Sequence, residues 1–146
     1  MPMAQAEDII EALEFLDGDE RYDYIIGLGK SLPPMPDELK TGENKVEGCM
    51  SQVWLASELK PGADGPVIEF TGDSDALIVK GLVAIVIALC SGKSPREIQD
   101  VDLPGLFERV GLHKHLSGGR RNGLAAMVER IRTIARREQL AAAAAE

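Results

Sequence analysis

Residues 52–92 read QVWLASELKPGADGPVIEFTGDSDALIVKGLVAIVIALCSG, and consecutive signals in this stretch decide the fold. Residues 52–59 form a strand candidate. Residues 61–66 make a Pro- and Gly-rich turn, and residues 67–70 make a second strand, so the two read as an antiparallel hairpin. Asp73, Ser74 and Asp75 then stand as N-cap candidates for a helix over residues 76–89. That helix is apolar on most sides, which makes it the buried one, and Gly92 ends it. The expectation is an α+β fold, a small antiparallel sheet with helices packed mainly on one face.

Working outward, Ile9, Ile10, Leu13 and Leu16 recur at helical spacing up to the Asp17-Gly18-Asp19 turn. Tyr22, Ile25, Ile26 and Gly29 continue a second helix, stopped near Leu32 by Pro33-Pro34-Met35-Pro36. Residues 33–45 read as a rigid, irregular loop. Beyond the buried helix, Ser94-Pro95-Arg96-Glu97 is a capping box with Pro at the first helical position. A turn of helix follows over residues 106–110. Leu124, Met127, Val128, Ile131 and Ile134 mark the inner stripe of a last helix, and the alanine-rich tail 141–146 is expected to fray. With 146 residues and no repeat or linker, residues 1–146 are expected to form a single domain with its core over about 8–136.

Hydrophobic residues make up 45% of the chain and aromatics only 4%, so the core must be built mainly of Leu, Ile, Val and Ala. The net charge of −8 argues against a nucleic-acid binder, which needs a basic footprint to release counterions. Residues 113–137 nevertheless hold Lys114 and six arginines against Glu129 alone, a local charge of +6 on an otherwise acidic chain. Such a strip is either a solvated helix face or a docking surface for an acidic partner or small anion. The opening MPMAQAEDII lacks the basic region and apolar run of a signal peptide. Residues 82–90, the longest strongly apolar run, fall far short of the roughly 20 residues that span a bilayer. A cytoplasmic protein without membrane contact is expected, and there its two cysteines are not expected to be bridged.

Metal and phosphate chemistry find little footing. The cysteines lie 41 residues apart with no Cys-x-x-Cys pair, and His113 and His115 lie two apart. An iron–sulfur or zinc scaffold would have to combine Cys49, Cys90, one of these histidines and an Asp. Gly27-Leu28-Gly29-Lys30 lies within a helix and completes no nucleotide-binding pattern. No metal or cofactor of the chain's own is expected. Cys90 ends an apolar run, where burial raises its pKa and makes it inert. Cys49 stands instead between a polar loop and the first strand. Gly48 removes bulk beside the thiol and permits unusual backbone angles. Lys45 favours a thiolate there and Glu47 opposes it, so the sequence leaves the pKa open.

Val46-Glu47-Gly48-Cys49-Met50-Ser51-Gln52-Val53-Trp54-Leu55 resembles the active-site stretch of the SufE family of sulfur-acceptor proteins. Further matches keep the family's order. Tyr24-Ile25-Ile26 with Leu28-Gly29, and Leu32-Pro33, precede the cysteine. Gly72-Asp73-Ser74-Asp75-Ala76 and Ile78-Val79-Lys80-Gly81-Leu82 follow it. His115-Leu116-Ser117, Arg120 and Gly123-Leu124 complete the set, so the resemblance covers about residues 8–136.

The resemblance implies a fold shared with IscU-type scaffolds and a partner, a SufS- or CsdA-type cysteine desulfurase whose own pyridoxal phosphate frees sulfur from cysteine. The thiol matching Cys49 would accept persulfide sulfur, stimulate the desulfurase and pass the sulfur to a downstream iron–sulfur scaffold. The chain would itself be no enzyme, and a monomer or weak homodimer. Gly48, Met50, Ser51, Gln52, Asp73, Ser74 and Arg120 would support Cys49 or contact the partner. The family is described as tucking the cysteine loop inward until the partner docks. Arg120 would either dock the partner or stabilise the thiolate. Where the family usually has Pro, this chain has Ser117-Gly118-Gly119-Arg120, and two glycines are expected to loosen the turn that carries Arg120. An IscU-type iron–sulfur or zinc scaffold is the alternative.

Overall fold

The computed structural model describes residues 6–144, the side chains of His113 and His115 excepted. In chain order come α1 (Ala6–Phe15), α2 (Gly18–Lys30), a 3-10 turn (Asp37–Leu39), β1 (Val53–Lys60), β2 (Val67–Ser74), α3 (Leu77–Cys90), α4 (Pro95–Asp100), α5 (Leu103–Arg109), a second 3-10 turn (Leu112–His115) and α6 (Gly118–Ala144). The α+β expectation holds, with two antiparallel strands and six helices among the described residues.

Helix α3 is the centre of the core. Only Leu77, Lys80 and Ala88 of its residues escape burial, and Leu82, Val83, Val86 and Cys90 are fully enclosed. Each such aliphatic side chain contributes roughly 1.5–3 kcal/mol relative to an exposed one. The sheet lays Val53, Leu55, Ile68 and Phe70 on α3, and Gly72 makes the fit close, since a Cβ there would lie 2.7 Å from Val83. On the opposite face Lys60 pairs with Glu58 at 3.9 Å and Glu69 at 3.4 Å in solvent. Helix α2 crosses α3 with backbones nearly touching, because a Cβ on Gly81 would collide with the Ile25 carbonyl oxygen. Buried Arg21 ties α2 to α1 by donating to the carbonyls of Leu16 (3.0 Å) and Leu13 (2.6 Å), the open C-terminal end of that helix.

The hairpin runs from Val53 opposite Ser74 to Lys60 opposite Val67. Its edges are partly covered by short segments, which blunts them against foreign strands. Lys45 bridges Trp54 on one side and Lys93 bridges Ile68 on the other. The segment expected to be irregular loop therefore ends in an isolated bridge to β1. Its last residues hold β1 through Val46 N–H to Val53 C=O and Leu55 N–H to Asn44 C=O, both 2.8 Å.

The capping box at Ser94 forms with both of its hydrogen bonds, and the predicted stripe of the last helix is buried throughout. The cap of α3 is a correction. Ala76 occupies that position with no side-chain cap, since β2 continues to Ser74 and the three polar residues have other partners. The Ser74 hydroxyl accepts the Ala76 N–H at 3.3 Å. Asp73 bridges Lys40 (3.2 Å) and Lys80 (3.4 Å), with the Lys40 ammonium 5.6 Å from the Trp54 ring centre. Burial alone would raise the Asp73 pKa. The Ser74 N–H, the Lys40 hydrogen bond and the Lys80 charge outweigh it, so the carboxyl lies below its usual value. The alanine tail is helical through Ala144 with its described residues exposed, while Ala145 and Glu146 lie outside the described residues. No described helix is long and apolar enough to cross a membrane.

Cys90 occupies the core position expected of it, and burial drives its thiol pKa up to about 11, partly offset by Lys93 and Arg132. Cys90→Ala is expected to cost about 1 kcal/mol, the scale of one small buried group. Cys90→Asp is expected to cost several kcal/mol, because it buries an unpaired carboxylate. Urea unfolding of both variants checks this, and equal stability of the two would contradict the burial.

Candidate functional site

Cys49 sits in a six-residue loop, 47–52, pinned at both ends. The Val46–Val53 hydrogen bond closes its base. At its C-terminal end the Gln52 N–H donates to Asp75 Oδ1 (2.9 Å), and the Asp75 N–H donates back to the Gln52 carbonyl (3.3 Å). The carboxylate expected to cap α3 thus clamps the cysteine loop instead.

Between these pins the loop lies along one face of α6. Gly48 has φ +90°, which an L side chain rarely adopts, and a Cβ on it would point at the Ala126 methyl at 3.5 Å. Gly123 faces Cys49, since its own Cβ would lie 3.4 Å from Sγ. Gly119 faces Met50, and a Cβ there would collide with the thioether sulfur. Loop residues 48, 49 and 50 therefore meet helix residues 126, 123 and 119 in antiparallel order, each on a residue without a bulky side chain. Spacings of four and three put those helix residues on one face.

The thiol occupies a recess of about 20 Å³ lined by Cys49, Met50, Ser51, Val79, Gly119, Arg120, Gly123 and Met127. Its Sγ–H donates weakly to the Gly123 carbonyl at 3.7 Å. Burial first, and then the Glu47 carboxylate, raise its pKa. Lys45, whose backbone bridges Trp54, does not reverse that balance. The seated thiol is accordingly protonated and protected rather than activated. Met50 roofs the recess from outside, 90% exposed beside the sulfur.

The structure thus brings Cys49, Met50, Ser51 and Arg120 to one recess, with Gly48 packed beside it on α6 and Gln52 holding one end of the loop. It does not bring Asp73 or Ser74 there; those two hold the corner between β2 and α3. Gly118 and Gly119 do not loosen the approach to Arg120. They are the first two residues of α6, and the Ser117 hydroxyl accepts the Arg120 N–H at 3.3 Å, as an N-cap does. Gly119, Ala126 and Asp75 went unread as site residues. The signal for the first two was small residues at 119, 123 and 126, one helical stripe.

A larger concavity, about 730 Å³, lies elsewhere, lined by Leu32, Pro33, Ala56, Phe70 and Ile87 among others. Its Lys60 pairs with both Glu58 and Glu69, and no cysteine lines it. Among the described residues no three His, Cys, Asp or Glu side chains gather as a metal-ligand set, the side chains of His113 and His115 lying outside them. Both cysteines are free thiols.

The family model described as SufE, Fe-S metabolism associated domain, matches residues 7–135. An uncharacterized SufE-like protein of Rhizobium meliloti is 48% identical over 90% of this chain and 94% of its own. One from Rhizobium etli is 50% identical over 89% of this chain and 88% of its own. A solution structure of a hypothetical protein from Thermus thermophilus has the same fold, with TM-score 0.74, 19% identity, and coverage of 94% of this chain and 97% of that one.

The seat has a definite pH dependence. Its thiol pKa lies above that of a free loop, so seating is fully favoured below the free value and weakens as pH rises through the seated one. The alkylation midpoint of Cys49 is expected above that of an ordinary thiol. Glu47→Gln should lower it by removing a nearby anion, and Gly119→Ala should lower it by forcing Met50 off the helix. Iodoacetamide rates across pH check this, and a wild-type midpoint at or below the ordinary thiol value would contradict the seated geometry.

Proposed function

This chain belongs to the SufE family of iron–sulfur metabolism, and on that footing we propose that it is a sulfur acceptor whose Cys49 takes sulfur from a cysteine desulfurase persulfide. The observation that carries the reading is the setting of Cys49, a lone thiol at a pinned loop, shielded by contacts small enough to be given up.

The transfer follows from thiol chemistry. The Cys49 thiolate attacks the terminal sulfur of the donor persulfide. A sulfur–sulfur bond forms at Sγ, the donor's sulfur–sulfur bond breaks, and the donor cysteine leaves as a thiolate that takes up the proton Cys49 gave away. Nothing is oxidised or reduced overall. Attack needs the thiolate, which the seat disfavours, so the loop reacts unseated and rests seated. Returned to the recess, sulfur is kept from bulk oxidants and reductants until an iron–sulfur scaffold collects it. The pyridoxal phosphate that releases sulfur from cysteine belongs to the desulfurase. We place this work in the cytoplasm.

Arg120 stands at the mouth of the recess, in the first turn of the arginine-rich helix α6. We assign it to docking an acidic surface of the desulfurase, together with Met50 as an apolar contact. Gly48 and Ser51 shape the approach to the sulfur.

Incubated with a desulfurase and cysteine, the chain should gain about 32 Da, one sulfur atom as persulfide. Cys90→Ala should keep that adduct and Cys49→Ser should lose it. Retention of the adduct by Cys49→Ser would falsify the assignment.

Arg120→Ala should weaken desulfurase binding several-fold, and the wild-type affinity should fall with added salt. The alkylation midpoint of Cys49 should stay put. A raised midpoint with unchanged affinity would make Arg120 a stabiliser of the thiolate instead.

A further inference from the structure

Arg130 lies on the same face of α6 as Gly119, Gly123 and Ala126, seven and four residues beyond the last two. Its Nη1 donates to the Lys45 carbonyl at 3.4 Å and its Nη2 to the Glu43 carbonyl. These carbonyls belong to the segment that bridges β1 just before the cysteine loop begins. Its Nε is buried without a hydrogen-bond partner, so the guanidinium has entered the contact at the cost of one donor's solvation. A guanidinium placed on two backbone carbonyls fixes position along the chain, which a single contact does not.

We infer that Arg130 is a positioning residue for the Cys49 thiol, holding the root of the cysteine loop on α6 so that the loop leaves and regains its seat in one register. Contacts along the helix run from 43 and 45 at Arg130, through 48 at Ala126 and 49 at Gly123, to 50 at Gly119. The first of these is charge-assisted, and the rest are van der Waals touches and one weak Sγ–H bond to the Gly123 carbonyl. Opening therefore starts at the weak end, with Met50 and Cys49, while Glu43 and Lys45 stay in place. Asp75 fixes the loop at Gln52, but among these contacts on α6 only Arg130 brings a side chain that can set register, since glycine and alanine offer none. The importance of this role for sulfur transfer rests on the function proposed for Cys49; the positioning itself does not.

The test compares alkylation of the two thiols under native conditions, read by peptide mass. Cys90 is fully buried and reports opening of the core, whereas Cys49 reports opening of the loop. Arg130→Met keeps the aliphatic stem and removes every donor. Its Cys49 rate should rise roughly tenfold, because a loop freed at its root gains unseated conformations, the scale of about one residue's backbone entropy, with Cys90 still protected. Arg130→Lys, which restores a cationic donor, should recover part of the protection. An unchanged Cys49 rate in folded Arg130→Met, or a parallel rise at Cys49 and Cys90, overturns the proposal. If Arg130→Met does not fold, Arg130→Gln is read by the same two rates with the same expectations. Because alkylation needs no sulfur donor, failure here is distinct from a failure of Cys49 to accept sulfur.

Discussion

A helix as apolar as Leu77–Cys90 has almost no face to offer to water, and the other elements are placed by the need to surround it. The sheet covers one side, where Gly72 presents bare backbone so that Val83 can reach the strands. Helix α2 covers another, close enough that Gly81 tolerates no side chain beneath Ile25. Helix α6 reaches α3 from a third direction through the stripe that includes Met127 and Ile131, both fully buried. Two thiols thereby acquire opposite characters. Cys90 ends the enclosed helix and is chemically silent. Cys49 lies where a loop crosses the outer end of α6, beside Met127 but also beside solvent.

The cysteine loop is held by two different kinds of force. At its ends are directional bonds: the backbone pairing at Val46 and Val53, and the double contact between Gln52 and Asp75. Along its middle are touches between Gly48, Cys49 and Met50 and the small residues of α6. Hydrogen bonds at the ends limit where the loop can go, and the middle decides how readily it goes. The raised pKa of Cys49 belongs to the same arrangement. Burial and Glu47 both favour the neutral thiol, and the neutral thiol favours burial in return.

Much of this was legible in the sequence where the signal is local. A hairpin followed by a helix with no polar face leaves few architectures, and the Ser94 capping box is read directly from four residues. What failed was local reasoning about side chains that tertiary partners recruit. Asp73 and Asp75 have the composition of helix caps, yet one is drawn to Lys40 and Lys80 and the other to the Gln52 backbone. Strand β2 runs past Thr71, its last β-forming residue, because Gly72, Asp73 and Ser74 are held by their pairing with β1. At the site, Cys49 stood out by its setting. Its seat did not, because the Gly123 carbonyl lies 74 residues away and glycine in a helix gives no hint of what packs on it. By sequence, the glycine pair at 118 and 119 suggests a loose turn. Here the second of them is a place where another side chain rests.

That reversal bears on why the seat is built from glycine and alanine at all. Burial stabilises in proportion to apolar area, and residues lacking long side chains bring little of it. A leucine stripe in their place would grip the loop with the strength of a core contact, several kcal/mol, and opening would then compete with unfolding. Glycines instead let the loop backbone approach closely enough to shield the sulfur while leaving the contact weak. Met50 fits the same logic, since it covers the recess yet keeps nearly all its surface in water and so loses little when it lifts away. Tight approach and weak hold usually exclude each other. They coexist here because closeness comes from absent side chains, whereas strength would have to come from present ones, and the strong contacts have been moved to the ends of the loop.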